Sequence, residues 1–280
     1  VAKPLVTRHW YRVALWTPSG PRVVASSGEH MGRAIVDAVD AIDCHGTRAF
    51  AVDLPVGEDI PLGESVGKRQ IVALSDAPPS GSDFQWPVGV LPSFAGAEKL
   101  AAARRGWVTR PRQDLLVIEA QTDADHIIDL FLGLIERLPS ADNLEVRLLD
   151  HFEDAASTDV WLTSRVDAKK ILRFLDDYDE ELIGNGHLEL SVYVRKHKAT
   201  LRLTEHKTVL WLAEDRALAD EVGRWLRELE IPHAHELVTV RDAPHFHYRP
   251  AKSRDRKKLG EELYRQRLRR VDSLKRETAG

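Results

Sequence analysis

The sequence predicts an α+β protein, with helices on one face of a mainly antiparallel sheet arranged as a ferredoxin-like split βαβ sandwich with extra antiparallel strands. Three observations carry this reading. Short apolar runs with period-two alternation are separated by stretches whose apolar residues recur at helical period. From Leu115 to Tyr248 the order of elements reads β-α-β-β-α-β-β-β-α-β. The first 75 residues read as a smaller ββαββ unit, and a basic helix closes the chain.

The N-terminal unit, residues 1–75, opens on a hairpin. Trp10 to Trp16 and Arg22 to Ala25 flank Thr17-Pro18-Ser19-Gly20, whose proline and glycine suit a turn. Ser26 and Glu29 have capping-box spacing ahead of a helix striped by Met31, Ala34, Ile35, Ala38, Val39 and Ile42, and Gly46 ends it. Thr47 to Leu54 and Gln70 to Leu74 follow as strands. Residues 76–113 read as a Pro-rich linker carrying Pro78, Pro79, Pro87 and Pro92, with Phe84, Trp86, Leu91 and Phe94 as apolar anchors and a short helix near Ala95 to Arg105.

Residues 114–250 form the expected ferredoxin-like domain. The strand Leu115 to Ile118 leads to a helix capped by Thr122 and Asp125, striped by Ile127, Ile128, Phe131, Leu134, Ile135 and Leu138, and stopped by Pro139. Leu144 to Leu149 and Asp159 to Leu162 are strands. Asp167 opens a helix with Ile171, Leu172 and Leu175 that ends at Gly184-Asn185-Gly186. Leu188 to Val194, Thr200 to Leu203 and Thr208 to Leu212 form a meander, and a helix with Val222, Trp225 and Leu226 ends near Pro232. Trp161, Trp211 and Trp225 take core positions, whereas Trp86 and Trp107 fall in irregular segments where an aromatic can anchor a partner.

Composition excludes several classes. The chain has 280 residues, 43% of them hydrophobic, which excludes a disordered or fibrous protein. A single cysteine, Cys44, excludes a disulfide framework and any cysteine-rich zinc or iron–sulfur site held by this chain alone. No window approaches the ~18 consecutive apolar residues of a membrane span and no leader pattern opens the chain, so the expected location is cytoplasmic. Charge is uneven: residues 1–113 carry 13 basic and 11 acidic side chains, residues 114–248 carry 15 and 28, and residues 249–280 carry 12 and 5. The acidic middle opposes a broad nucleic-acid footprint and leaves the tail as the place for any phosphate contact.

Residues 251–280 read as a basic amphipathic extension, helical over 254–276, whose stripe of Leu259, Leu263, Leu268, Val271 and Leu274 must be covered by something. Its partner-binding candidates are Arg256, Lys257, Lys258, Leu259, Leu263, Arg267 and Arg270. The metal candidates are two His-x-His units, His233/His235 and His245/His247, because side chains two apart on a strand share a face and can share an ion, zinc or iron by ligand chemistry. With a turn over Arg241 to Pro244, Val238 would face His247 and Val240 would face His245, so the four imidazoles would converge only through a bulge or another strand.

Other motifs are weaker. The hairpin tips Arg195-Lys196-His197-Lys198 and Glu205-His206-Lys207-Thr208 offer charge and imidazoles for an anion, and polar tips are equally ordinary surface. Gly63 to Lys68 is one residue short of a phosphate-binding loop and lacks its Ser or Thr, since Arg69 follows. Cys44-His45 sits at a helix C-terminus, where the dipole disfavours a thiolate. The acidic run Asp176 to Glu181 suits a solvated helix face or a mate for the basic tail.

The leading expectation is a non-catalytic protein, needing no cofactor, that captures a protein partner or a second copy of itself through the tail helix and the exposed sheet. The alternatives are a metal-dependent hydrolase or nuclease built on His233, His235, His245 and His247, and nucleic-acid binding by the tail.

Overall fold

A tight hairpin starts the fold: β1 (His9–Thr17) and β2 (Gly20–Gly28) pair in antiparallel register from His9↔Gly28 to Thr17↔Gly20. The computed structural model describes residues 9–42, 45–54, 64–65, 71–112, 115–152, 157–214, 216 and 218–275. Cys44, and Gly63, Gly67 and Lys68 of the loop motif, lie outside these described residues. Helix α1 (Met31–Ile42) lays Ala34, Ile35 and Ala38 into the core cluster that includes Val13, Leu15 and Val24 of the hairpin. Ser26 is not a helix cap. It lies inside β2, fully buried, and its hydroxyl donates to the Ala34 carbonyl at 2.8 Å, tying strand to helix. With β3 (Arg48–Asp53), β4 (Glu64–Ser65) and β5 (Ile71–Ala73) the hairpin forms a five-stranded sheet in the order β3-β1-β2-β5-β4.

The segment 76–113 does more than link. It supplies β6 (Val90–Pro92), then α2 (Phe94–Lys99), whose cap Ser93 accepts from the Gly96 N–H, then β7 (Gly106–Arg112), an edge strand of the second sheet. Trp86 and Trp107 are accordingly buried, 9% and 7% exposed, so neither is free to anchor a partner.

The second sheet collects β8 (Leu115–Gln121), then, after α3 (Ile127–Arg137), β9 (Asn143–Leu148) and β10 (Ser157–Leu162). Helices α4 (Ala168–Asp177) and α5 (Asp179–Leu182) precede the meander β11 (Leu188–Val194), β12 (Ala199–Leu203) and β13 (Thr208–Ala213), and α6 (Ala219–Glu228) follows it. Asp167 caps α4 as expected, accepting from the Lys170 N–H at 2.9 Å; α3 has no side-chain cap. A short strand β14 (His245–His247), helix α7 (Arg256–Arg265) and strand β15 (Arg269–Lys275) complete the chain. Among the described residues no helix is long and apolar enough to cross a membrane.

The described residues therefore form a mixed α+β fold with seven helices and antiparallel sheets. The eight-stranded sheet runs β15-β10-β9-β11-β12-β13-β8-β7. Its described pairings are all antiparallel, which corrects the ferredoxin-like expectation, because a split βαβ sandwich needs a parallel central pair. The cause is the meander: β11, β12 and β13 fill the space between β9 and β8 and take the edges that a crossover would have used. Alternate residues of these strands, such as Val146, Leu190, Leu201 and Trp211, face the helices and share one apolar cluster with Phe131, Leu175 and Leu226.

The tail departs from a continuous helix over 254–276. Helix α7 stops at Arg265, the chain turns through Arg267 at φ 67°, and β15 pairs with β10. Leu259, Leu263 and Leu268 are each 1% exposed within the main apolar cluster, so the body of the protein itself covers this part of the stripe. Four of the tail cations are engaged too: Arg256 and Arg270 both reach Asp159, at 2.9 and 2.5 Å, Lys258 pairs with Asp255, and Arg254 bonds Glu181 of the acidic run.

Candidate metal centre

His245 and His247 stand on β14, whose partner is not the Val238–Val240 stretch but β6, in the register His245↔Pro92 and His247↔Val90. The expected hairpin fails because residues 240–242 form a 3-10 turn, closed by the Thr239 N–H donating to the Asp242 carboxylate at 2.7 Å. Side chains two apart on a strand point the same way, and the two rings lie 4.9 Å apart with their Nε2 atoms at 3.1 Å.

The far side of each ring fixes its proton. Nδ1 of His245 is 2.7 Å from the Ala243 carbonyl oxygen, and Nδ1 of His247 is 3.1 Å from the Gly186 carbonyl oxygen. A carbonyl only accepts, so both Nδ1 atoms carry hydrogen, and in the neutral rings both Nε2 atoms present lone pairs to each other. Two facing lone pairs at 3.1 Å repel unless a cation lies between them. Nitrogen ligands about 2.0–2.1 Å from a tetrahedral metal are separated by about 3.3 Å, close to this spacing.

Three further side chains meet this pair, all from one end of the sheet. His206 and Glu205 come from the β12–β13 turn, where the Thr204 and Thr208 hydroxyls bond at 2.8 Å and Lys207 adopts a left-handed φ of 60°. His151 follows β9. Ligand atoms of His206, His245 and His247 lie within 4.8 Å of one another, as do those of His151, Glu205 and His247. His151 stacks on His247 at 4.5 Å with ring planes 6° apart, and Glu205 is 3.7 Å from His151 Nε2 and 3.6 Å from His206 Nδ1. His187, preceding β11, packs edge-on against Phe152 behind them. His151, His187 and His247 also line a cleft of about 330 Å³ closed from the other side by Tyr11, His30 and Met31 of the N-terminal unit.

The electrostatics favour the neutral form of His206 and His247 and the ionised form of Glu205. Burial, reinforced by His151 and His206, pushes His247 down to about 3. Burial likewise takes His206 down to about 4, against the pull of Glu205. Burial alone would raise the Glu205 carboxyl, but the hydrogen bond from His151 and the neighbouring imidazoles outweigh it and hold it below the usual range.

Of the sequence candidates, His245 and His247 are brought together; His233 and His235 are not with them. His233 packs on Trp107 at 4.5 Å, bridged to that strand, and neither residue joins a metal-competent group among the described residues. Among the tail candidates Leu259 and Leu263 are in the core, Arg256 and Arg270 bind Asp159, and Lys257 and Arg267 stand exposed at the surface. The approach of His151, Glu205 and His206 to this pair escapes a reading by motif. The usable signal was register: with β9, β11 and β12 antiparallel, Leu148, Leu188 and Leu203 fall at one end of the sheet, and the residues just beyond them must meet. No family model matches the chain, and no curated protein or solved structure matches it at a significant level.

Proposed function

We propose that the protein is a metal-dependent hydrolase whose centre holds a zinc ion through His206, His245 and His247, with Glu205 as the neighbouring proton acceptor. The observation that carries this is the pair of Nε2 atoms at 3.1 Å, each ring locked from behind by a carbonyl, the outer-shell arrangement that orients ligating histidines. Imidazole ligands suit zinc or iron, and three protein ligands leave a position open for water. A zinc ion held there would lower the pKa of its water to about 7, and Glu205, whose carboxyl is held below the usual range, would be the group that takes that proton. His151 steadies Glu205, and the adjoining cleft gives a substrate access to the water.

The test is elemental analysis of protein purified without a polyhistidine tag, with zinc titration of the metal-stripped form. One zinc per chain is expected, lost in the His245→Ala/His247→Ala double variant. Hydrolysis of activated carboxylic and phosphoric esters should require that zinc and fall about 100-fold or more in Glu205→Gln, which retains the metal. Absence of stoichiometric zinc after titration overturns the reading. The partner-capture reading loses support because Leu259 and Leu263, the apolar side chains it relied on, are covered by the protein's own core.

A further inference from the structure

A second pocket, of about 420 Å³, opens where α4, the loop after β10 and the turn between α7 and β15 converge. Its floor is apolar, formed by Leu144, Ile171 and Leu268, which are at most 1% exposed, with Phe174 half-buried beside them. Its rim is cationic: Arg165, Lys170, Arg173 and Arg267, against Asp177. Arg165 reaches Asp142 at 3.0 Å, while Lys170, Arg173 and Arg267 form no ion pair among the described residues. Uncompensated cations gathered round one concavity, in a chain of net charge -4, make a local positive potential that calls for an anion.

Arg267 adds an independent observation. The Leu268 N–H donates to the Leu263 carbonyl and the Arg267 N–H to the Tyr264 carbonyl, each at 3.0 Å, and Leu263 and Leu268 are both buried. This is the Schellman ending of a helix, and the residue that must turn left-handed in it is normally glycine. Here it is arginine, at φ 67°. The arginine side chain is thus carried on the helix-ending turn at the pocket rim, at a position glycine would suit better.

We propose that this pocket binds a small organic phosphate the size of a nucleoside monophosphate. Arg173, Arg267 and Lys170 hold the phosphate, since two planar guanidinium forks match its oxygens, and the apolar body lies over Phe174 and the floor. The volume lies within the range of small-molecule sites. Ser164 and Asp177 are at hand for ring nitrogens or hydroxyls.

Calorimetric titration of the full chain with AMP, adenosine and inorganic phosphate tests this. AMP should bind saturably at one site, with adenosine and phosphate each at least about tenfold weaker, the loss expected when a charge-assisted contact or the apolar body is removed. Arg267→Gly should lower AMP affinity at least about tenfold while the melting temperature holds or rises, because glycine suits the left-handed turn. Arg173→Ala should weaken AMP similarly by a route that leaves the turn untouched. The His245→Ala/His247→Ala variant should bind AMP as the parent does, which separates this site from the metal centre. No saturable AMP binding, equal binding of adenosine, equal binding of phosphate, or unchanged affinity in both arginine variants would each overturn the proposal.

Discussion

Gly186 and Gly89 meet backbone to backbone: a Cβ built on Gly186 would stand 1.9 Å from the Gly89 carbonyl oxygen. The contact is tight because the Gly186 N–H donates to the Tyr248 carbonyl at 3.0 Å while the Tyr248 N–H donates to the Gly89 carbonyl at 2.8 Å. Both bonds seat the chain leaving β14, and the Gly186 carbonyl is also the acceptor for His247 Nδ1. Gly186→Ala must therefore move the group that orients a proposed ligand. Zinc affinity should fall about 10–100-fold, the usual cost of losing an outer-shell partner, and stability by about 1–3 kcal/mol from the overpacking. Competition with a chromophoric chelator and denaturant melts measure the two; unchanged affinity in a folded variant would break the link between this glycine and the metal centre.

His233→Ala/His235→Ala tests the other His-x-His unit. Because His233 stacks edge-on against Trp107 and neither residue joins a metal-competent group among the described residues, zinc content should be unchanged. A small loss of stability, up to about 1 kcal/mol, should follow from the lost aromatic contact. Loss of metal in this variant would return the centre to the four-histidine arrangement.

The contrast between the two units shows what was legible. Periodicity revealed nearly every helix stripe and the meander, because each is a local pattern, and Asp167 announced its own cap. Pairings between distant segments leave no local trace: β6 with β14 joins Val90 to His247, and Arg110 and Arg241 both reach the buried Glu119 carboxylate, at 2.5 and 3.0 Å. The ferredoxin-like expectation fails for the same reason, since element order alone does not say that the meander inserts between β8 and β9. His245 and His247 could be singled out by spacing, whereas His151 and His206 gain meaning only from the sheet register.

The tail belongs to the fold. Leu263 is 1% exposed and contributes both to the main cluster and to the turn that delivers β15 to β10. Leu263→Ala should cost about 2–5 kcal/mol, the range for a leucine deleted from a well-packed core. Chemical denaturation gives the value directly. A change below about 0.5 kcal/mol would mean that α7 is dispensable and would revive the tail as a free docking element.

The metal-free protein should lose stability in acid and gain it in alkali, for separate reasons. The His247 and His206 imidazoles, at about 3 and about 4, stay neutral in the folded protein at pH 5, whereas in the unfolded chain they titrate near 6.5. The unfolded state then binds more protons, so stability falls as pH drops from about 6.5 to about 4, by up to about 1.4 kcal/mol per pH unit for each ring. Glu205, held low in the fold, adds the same sign below its ordinary range. At the alkaline end burial pushes the Lys207 ammonium, bonded to the Asn185 carbonyl at 2.6 Å, down to about 7. Between pH 7 and about 10 the unfolded chain still carries that proton and the folded one has shed it, so stability continues to rise. Urea unfolding from pH 4 to pH 10 should show both limbs, with His247→Gln flattening the acid limb alone and Lys207→Met the alkaline limb alone. A profile that peaks near pH 7 and falls on the alkaline side would mean that Lys207 keeps its charge in the folded protein.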